Sequence, residues 1–341
     1  MIGVEDMKKL NLNYAALTLA CSLVLGTVAQ TAVANDQPGK GITIRPAEGT
    51  QIEERFQHVI LYKALQELGY TIAEPSESEY QTMHLALGQG DADFTAVHWE
   101  PLHAAFYKEA GGDEKLAKLG TYVSGSLQGY LVDTASYNAG VKNFGDLKDP
   151  EIAKRFDADG DGKADLAGCI PGWGCERNIE HHLTEYKLRD TVTHNQGSYP
   201  VMMADTIARF KTGKPILYFT WTPYWVSGVL IPGKDVQWLA VPYSSSPDGV
   251  KENTTYEGKD LGFAVNTIHV LANKAFIDKN PAAKAVFEVA KLDINDISAE
   301  NGLIKNGEDK EADVERHAAD WIKNHKELFD SWVKAGRDAA K

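Results

Sequence analysis

Asp93-Phe-Thr-Ala-Val-His-Trp99-Glu-Pro101-Leu-His103 is an apolar run that ends in Trp-x-Pro, and the chain repeats the phrase as Ile216-Leu-Tyr-Phe-Thr-Trp221-Thr-Pro223-Tyr-Trp225. Proline supplies no backbone donor, so it stops a strand soon after each tryptophan and gives the two strand ends a similar geometry. A third tryptophan lies between them in the turn Cys169-Ile-Pro-Gly-Trp173-Gly-Cys175. Strand ends and tight turns are where α/β folds present binding groups. Three indoles delivered to such places suggest an aromatic cage for a ligand with a soft positive charge. The competing reading is two buried aromatics beside two turns.

Outward from the first phrase, Gly41 to Arg45 reads as a strand, and Ile52 to Leu68 carries apolar residues at helical spacing, closed by Gly69. Tyr70 to Ala73 is a second short strand, Tyr80 to Leu87 an amphipathic helix and Phe94 to Val97 a third strand, with Trp99 and His103 just beyond its end. This alternation predicts an α/β fold of two lobes, each a mostly parallel sheet with flanking helices, joined by hinge strands around a central cleft. Glycines flank a short apolar strand at Gly125 to Val132, where the chain is expected to cross between lobes, and the return is expected near Leu261 to Val265. Lobe 1 then comprises residues 35–128 and 267–341, and lobe 2 residues 129–266. From Asn273 onward the pattern is helical. Pro281 opens one helix, and Trp321, Ile322, Leu328 and Trp332 form the apolar stripe of the last, as packing residues.

Residues 1–34 have the pattern of a secretory signal: Lys8 and Lys9 at the start, an apolar core from Tyr14 to Val28, and the small residues Ala32-Val33-Ala34 at a cleavage site. Thr18, Ser22, Gly26 and Thr27 interrupt the apolar run, which argues against a retained membrane helix. Cys21 lies inside this leader. As the lipid-bearing cysteine of a lipoprotein it would have Thr18 where a large aliphatic residue is usual. The leader carries two charges of each sign, so residues 35–341 keep the whole net charge of −13. That surface disfavours nucleic acid and anionic lipid and fits a soluble periplasmic monomer. The remaining pair, Cys169 and Cys175, reads as a disulfide in an exported chain. Its spacing is not the C-x-x-C of a redox centre, and its small loop supplies only about 2 kcal/mol of chain entropy. Fixing the Trp173 turn is the better reason for it.

A quaternary ammonium has no N–H to donate, so electron-rich ring faces suit it better than a carboxylate, each contributing about 0.5 to 2 kcal/mol in a dry site. Three faces need a second anchor to reach micromolar binding. Gly172 and Gly174 allow unusual backbone angles that leave the amides of Gly174 and Cys175 accessible to an anion, and His103, four residues beyond Trp99, can donate a further hydrogen bond. A carboxylate at one pole and a trimethylammonium at the other is the shape of a betaine.

The chain resembles the periplasmic glycine betaine/proline betaine-binding proteins of ABC importers, the ProX type. The resemblance covers the whole chain after the leader and rests on His98-Trp99-Glu-Pro101-Leu-His103, Gly168-Cys169-Ile-Pro-Gly-Trp173-Gly-Cys175-Glu176, Thr193-His194-Asn195-Gln-Gly197, Met202-Met203-Ala-Asp205-Thr206 and Thr220-Trp221-Thr-Pro223-Tyr-Trp225. It implies that Trp99, Trp173 and Trp221 box the ammonium, that His103 and the amides of Gly174 and Cys175 hold the carboxylate, and that Cys169 and Cys175 are bonded. It also implies osmoprotectant uptake with a permease and its ATPase, no cofactor and no bond made or broken. The stretch from Tyr243 to Lys259 differs from what the family leads one to expect and is expected to lie away from the site.

Three features stand outside this reading. Asp157, Asp159, Asp161 and Asp165 copy positions of a calcium loop, but Gly168 occupies the place of the bidentate Glu, so an Asp/Gly turn is the favoured interpretation. His181-His182 lacks the spacing of a helical zinc pair and reads as surface; Trp225 matches His103 in the echo and belongs either at the cleft mouth or under the loop. The rival within the same fold is a choline or carnitine binder, distinguished by the carboxylate anchor. A secreted enzyme acting on a quaternary amine would need a cofactor motif, a nucleophile elbow or a metal-binding helix, none of which is recognisable. A signalling receptor domain would need a membrane segment after it.

Overall fold

The computed structural model describes residues 36–249 and 251–341. The expected leader, with Cys21, lies outside the described residues.

Ile52–Glu54 forms a short 3-10 turn that runs directly into the helix Arg55–Glu67, whose Phe56, Val59, Ile60 and Ala64 recur at helical spacing and are buried. The helix Tyr80–Gln89 stops at Gly90, which takes the left-handed conformation with φ 82°. Around these helices, Thr43–Ile44 pairs in parallel with Thr71–Ile72, and Pro46 bridges in parallel to Phe94. Phe94–Glu100 then pairs antiparallel with Asn266–Asn273, which pairs antiparallel with the long strand Leu116–Asp133.

Beyond that long strand, Leu217–Thr222 pairs antiparallel with it, and so does Val236–Trp238. Ala164–Ala167 pairs in parallel with Leu217–Thr222 and with Val192–Asn195. The sheets are thus mixed where mostly parallel ones were expected. Strand–helix alternation does give parallel neighbours, but the two connecting strands run against them. The long strand serves both halves: up to Ser126 its partner is Asn266–Asn273, and from Leu127 it is Leu217–Thr222.

Two apolar cores result. One gathers Phe56, Val59, Phe94, Ile268, Phe287 and Trp332; the other gathers Tyr130, Phe144, Leu166, Tyr199, Phe219 and Leu239. Each fully buried Phe or Leu contributes roughly 1.5–3 kcal/mol relative to exposure. Trp221 packs against both cores. At the C-terminus the single expected stripe is divided between the helices Glu311–Asn324 and Lys326–Ala339, with a break at His325. Trp321 and Trp332 stack across that break at 5.7 Å and are buried, while Leu328 is exposed.

Candidate ligand-binding site

The strand Phe94–Glu100 runs through Trp99, and Leu217–Thr222 runs through Trp221, so each tryptophan is the penultimate residue of its strand, and Trp99 lies within the strand rather than beyond its end. The peptide bonds Glu100–Pro101 and Thr222–Pro223 that follow are both cis. One small cavity is lined by Trp99, Trp173 and Trp221 together with His103, Gly174 and Cys175. Tyr80, Leu102, Gln128 and Phe219 complete its wall. Trp173 meets Trp221 edge-on at 5.5 Å and 77°, and Tyr80 meets Trp173 at 5.9 Å and 70°. Tyr224 and Tyr199 back the Trp221 ring at 4.3 and 4.7 Å.

Two carboxylates orient the indoles. Trp173 Nε1–H donates to Glu79 Oε2 at 2.7 Å, and Trp99 Nε1–H donates to Glu54 Oε1 at 3.3 Å. The Tyr80 hydroxyl donates to the other oxygen of Glu54 at 2.8 Å. Glu54 is buried, and burial pushes its carboxyl up to about 8 despite these two donors.

The opposite pole is built from backbone and imidazole. Gly172, at φ 94°, makes the turn that glycine alone adopts without strain, and Trp173 N–H closes it onto the Ile170 carbonyl. A disulfide joins Cys169 to Cys175, whose Cα atoms stand 6.1 Å apart. Trp173 is the N-cap of the helix Gly174–Glu185, and no side chain caps it, so the first-turn amides of Gly174 and Cys175 precede the first intrahelical bond. His194, in Thr193-His194-Asn195, accepts the Cys169 N–H at Nε2 and holds Glu180 at Nδ1, pinning the start of the loop.

His103 is fixed as a donor. Its Nδ1 accepts the Trp99 N–H at 3.2 Å, and burial, with His84 and His98 nearby, holds the ring well below its usual pKa. The neutral ring with Nδ1 as acceptor carries its proton on Nε2. His84 Nδ1 bonds the Tyr80 carbonyl, His84 Nε2 meets His98 Nδ1 at 2.9 Å, and His98 Nε2 meets Glu100 at 2.8 Å. Burial pulls His84 down to about 3, while the hydrogen bond from His98 holds Glu100 at about 2. His84, His98 and His103 each bring a nitrogen within 4.8 Å of the others. The bonds just given engage both ring nitrogens of His84 and His98 and Nδ1 of His103, leaving His103 Nε2.

Residues 42–324 match the family model of the substrate binding domain of ABC-type glycine betaine transport systems, OpuAC. The chain belongs to that family. As an OpuAC-family member it is a substrate-binding component of transport and not an enzyme. It is 50% identical over 310 residues to the glycine betaine/proline betaine-binding periplasmic protein of Escherichia coli K12, covering 90% of this chain and 94% of that one. To the glycine betaine-binding periplasmic protein OusX of Dickeya dadantii it is 49% identical over 334 residues, 97% of this chain and 99% of that one. Its fold is similar to lactococcal OpuAC in a closed, glycine betaine-bound conformation, with a TM-score of 0.65 at 21% identity, covering 85% of this chain and 99% of that chain. The OpuAC-family fold is two-lobed.

Sequence reasoning missed Glu54, Glu79 and Gln128. The two glutamates act on indoles 45 and 94 residues away, a separation that leaves no local pattern. Gln128 left a signal, a polar residue inside the apolar crossing strand. Among the described residues the stretch after Tyr243 does not line this cavity, but Ser244, Ser246, Asp248, Lys251 and Thr254 help line a larger one of about 530 Å³ that shares Leu102 and Gln128 with it. The aromatic faces and donors distinguish the smaller cavity as the candidate site.

Trp225 is buried, with Lys305 Nζ over its ring, and is not among the residues that line the cage cavity. His182, read as surface, is buried: it bonds the Tyr130 hydroxyl and the Ser245 carbonyl, and burial lowers it to about 4. Asp157, Asp159 and Asp165 bring carboxylate oxygens within 4.8 Å of one another, without Asp161. Asp157 accepts the backbone N–H groups of Gly160 and Gly162, and Asp165 accepts that of Ala158, the bonds of an Asp/Gly turn, while the Asn195 side-chain amide donates to the other oxygen of Asp165.

Proposed function

We propose that this chain captures glycine betaine or proline betaine in the periplasm and delivers it to an ABC permease and its ATPase for osmoprotectant uptake, after export directed by residues 1–34. The observation that carries the reading is one cavity with two chemically opposite poles. Trp99, Trp173 and Trp221 offer ring faces to a trimethylammonium, while His103 Nε2–H and the amides of Gly174 and Cys175 offer neutral donors to a carboxylate. The relatives at about half identity are named for the same ligands.

In this reading residues 35–128 with 267–341 form one lobe and 129–266 the other. The ligand favours the closed state by touching both. A choline or carnitine binder of the same fold is the alternative, and the carboxylate donors argue against choline. Isothermal titration of the oxidised chain lacking its leader, with glycine betaine, choline and dimethylglycine and with tryptophan emission followed, tests the proposal. Saturable betaine binding with an emission change is expected. Binding of choline alone would transfer the site to the alternative, and no binding by any of them would return the tryptophans to the core.

A further inference from the structure

Gln128 is the polar side chain of the cage cavity that the proposed function leaves unused. It stands on the long strand Leu116–Asp133, just past the change of partner at Ser126 and Leu127, and its opposite residue across the ladder is Trp221. Opposed residues of an antiparallel pair send their side chains to the same face, so the amide emerges beside the Trp221 wall. Leu102, which lies against Gly174 at the anion-binding turn, lines the same cavity.

The Gln128 side chain is almost wholly enclosed, with the residue 2% exposed, and its Nε2 has no hydrogen-bond partner among the described residues. A buried amide donor left without an acceptor forfeits its hydration for nothing, and native folds rarely tolerate one without a use. The cavity's candidate ligand supplies the missing acceptor at one end only. A trimethylammonium group has neither lone pair nor N–H, so the carboxylate oxygens are the acceptors that a betaine brings.

We propose that Gln128 is a further ligand-binding residue, donating from Nε2 to the carboxylate of a betaine alongside His103 and the Gly174 and Cys175 amides. The inference rests on the betaine reading of the cavity. It gives the carboxylate a donor on the connecting strand itself, in addition to those on the strand end at His103 and on the turn at Gly174. It also makes Gln128 a specificity determinant: a carboxylate returns a charge-assisted bond to the amide, and an alcohol in its place returns a weaker neutral one.

Gln128→Leu removes the donor with little change in volume, and Gln128→Glu keeps the shape while replacing the donor with a carboxylate. Each variant of the chain lacking its leader is titrated with glycine betaine and with choline, and its ligand-free thermal midpoint is measured. The expected result for Gln128→Leu is a loss of about tenfold or more in glycine betaine affinity with the ligand-free midpoint unchanged or raised, since an unpartnered amide is removed. Choline affinity stays within about twofold, and Gln128→Glu loses more betaine affinity than Gln128→Leu through like-charge repulsion. Unchanged betaine affinity in Gln128→Leu overturns the assignment, as does an equal loss for both ligands. Tighter betaine binding by Gln128→Glu also overturns it, because that would place the side chain at the ammonium pole. Failure of the unmodified chain to bind betaine removes the functional reading and the Gln128 role together; binding by the unmodified chain with an unaffected Gln128→Leu removes the Gln128 role alone.

Discussion

Each tryptophan of the proposed cage is held by a different neighbour, Trp173 by Glu79, Trp99 by Glu54 and Trp221 by Tyr224, and each offers a ligand its own ring face. Trp173→Ala, Trp99→Ala and Trp221→Ala are each expected to weaken betaine binding by about 1 to 3 kcal/mol in calorimetry, the value of a dry ring face with its packing. Three unchanged affinities in folded variants would remove the cage. His103→Ala should reduce betaine affinity more than choline affinity, because Nε2–H meets an anion in one ligand and not in the other. Glu54, behind Trp99 and Tyr80, makes a separate prediction about pH. Its folded carboxyl titrates at about 8 against an ordinary 4.5, because burial opposes the charge. The folded state therefore keeps a proton that the unfolded chain releases from about pH 4.5 upward. The resulting stabilisation is complete below 4.5 and is lost as the pH rises through 8, at up to about 1.4 kcal/mol per pH unit between these limits. Urea unfolding at pH 5, 6.5 and 8 should show a smaller decline in Glu54→Gln than in the unmodified chain. Parallel declines would mean that Glu54 ionises normally in the fold.

The turn from Cys169 to Cys175 is the element on which the proposed anion pole depends, and in that reading its disulfide serves local geometry more than global stability. Reduction, or Cys169→Ser with Cys175→Ser, should cost about 2 kcal/mol or less of unfolding free energy. The Gly174 and Cys175 amides lose their fixed direction at the same time, so betaine affinity is expected to fall at least tenfold at temperatures where the fold persists. Denaturant melts and titrations on the same reduced sample separate the two effects. This turn was legible in the sequence because its glycines, cysteines and tryptophan are contiguous, as were the Trp-x-Pro strand ends. The first helix and strands were legible through periodicity. What escaped came from distance: antiparallel pairing of Leu116–Asp133 with strands on both sides, the Glu54 and Glu79 contacts to indoles, and burial of His182 beneath Ser245. The division of the C-terminal stripe at His325 escaped for another reason. Apolar spacing continues across a break that no proline or glycine marks.

At the scale of the whole molecule, the site joins parts of the chain that strand pairing alone does not bring together. Trp173 donates to Glu79, Tyr80 meets Trp173, and Leu102 lies against Gly174, so the turn after Cys169 rests on the helix and strand end that carry Tyr80 and His103. Gly174 is one point of this close approach. A Cβ there would stand 2.7 Å from Leu102 Cγ and 3.0 Å from the Leu102 carbonyl oxygen, and the latter is backbone that cannot swing aside. Gly174 is helical with no positive φ, so alanine suits its own backbone, and the conflict is with Leu102 across the cavity rather than within the helix. Gly174→Ala should therefore leave the ligand-free protein folded, with unfolding free energy within about 1 kcal/mol of the unmodified chain, as expected for a change without a core cavity. Betaine affinity should fall by tenfold or more because the closed state is penalised and the apparent affinity scales with its population. Small-angle scattering gives an independent view: betaine should contract the unmodified chain and contract Gly174→Ala less at matched saturation. Full contraction and full affinity in Gly174→Ala would show that Leu102 yields, and that the close approach at this turn does not limit closure.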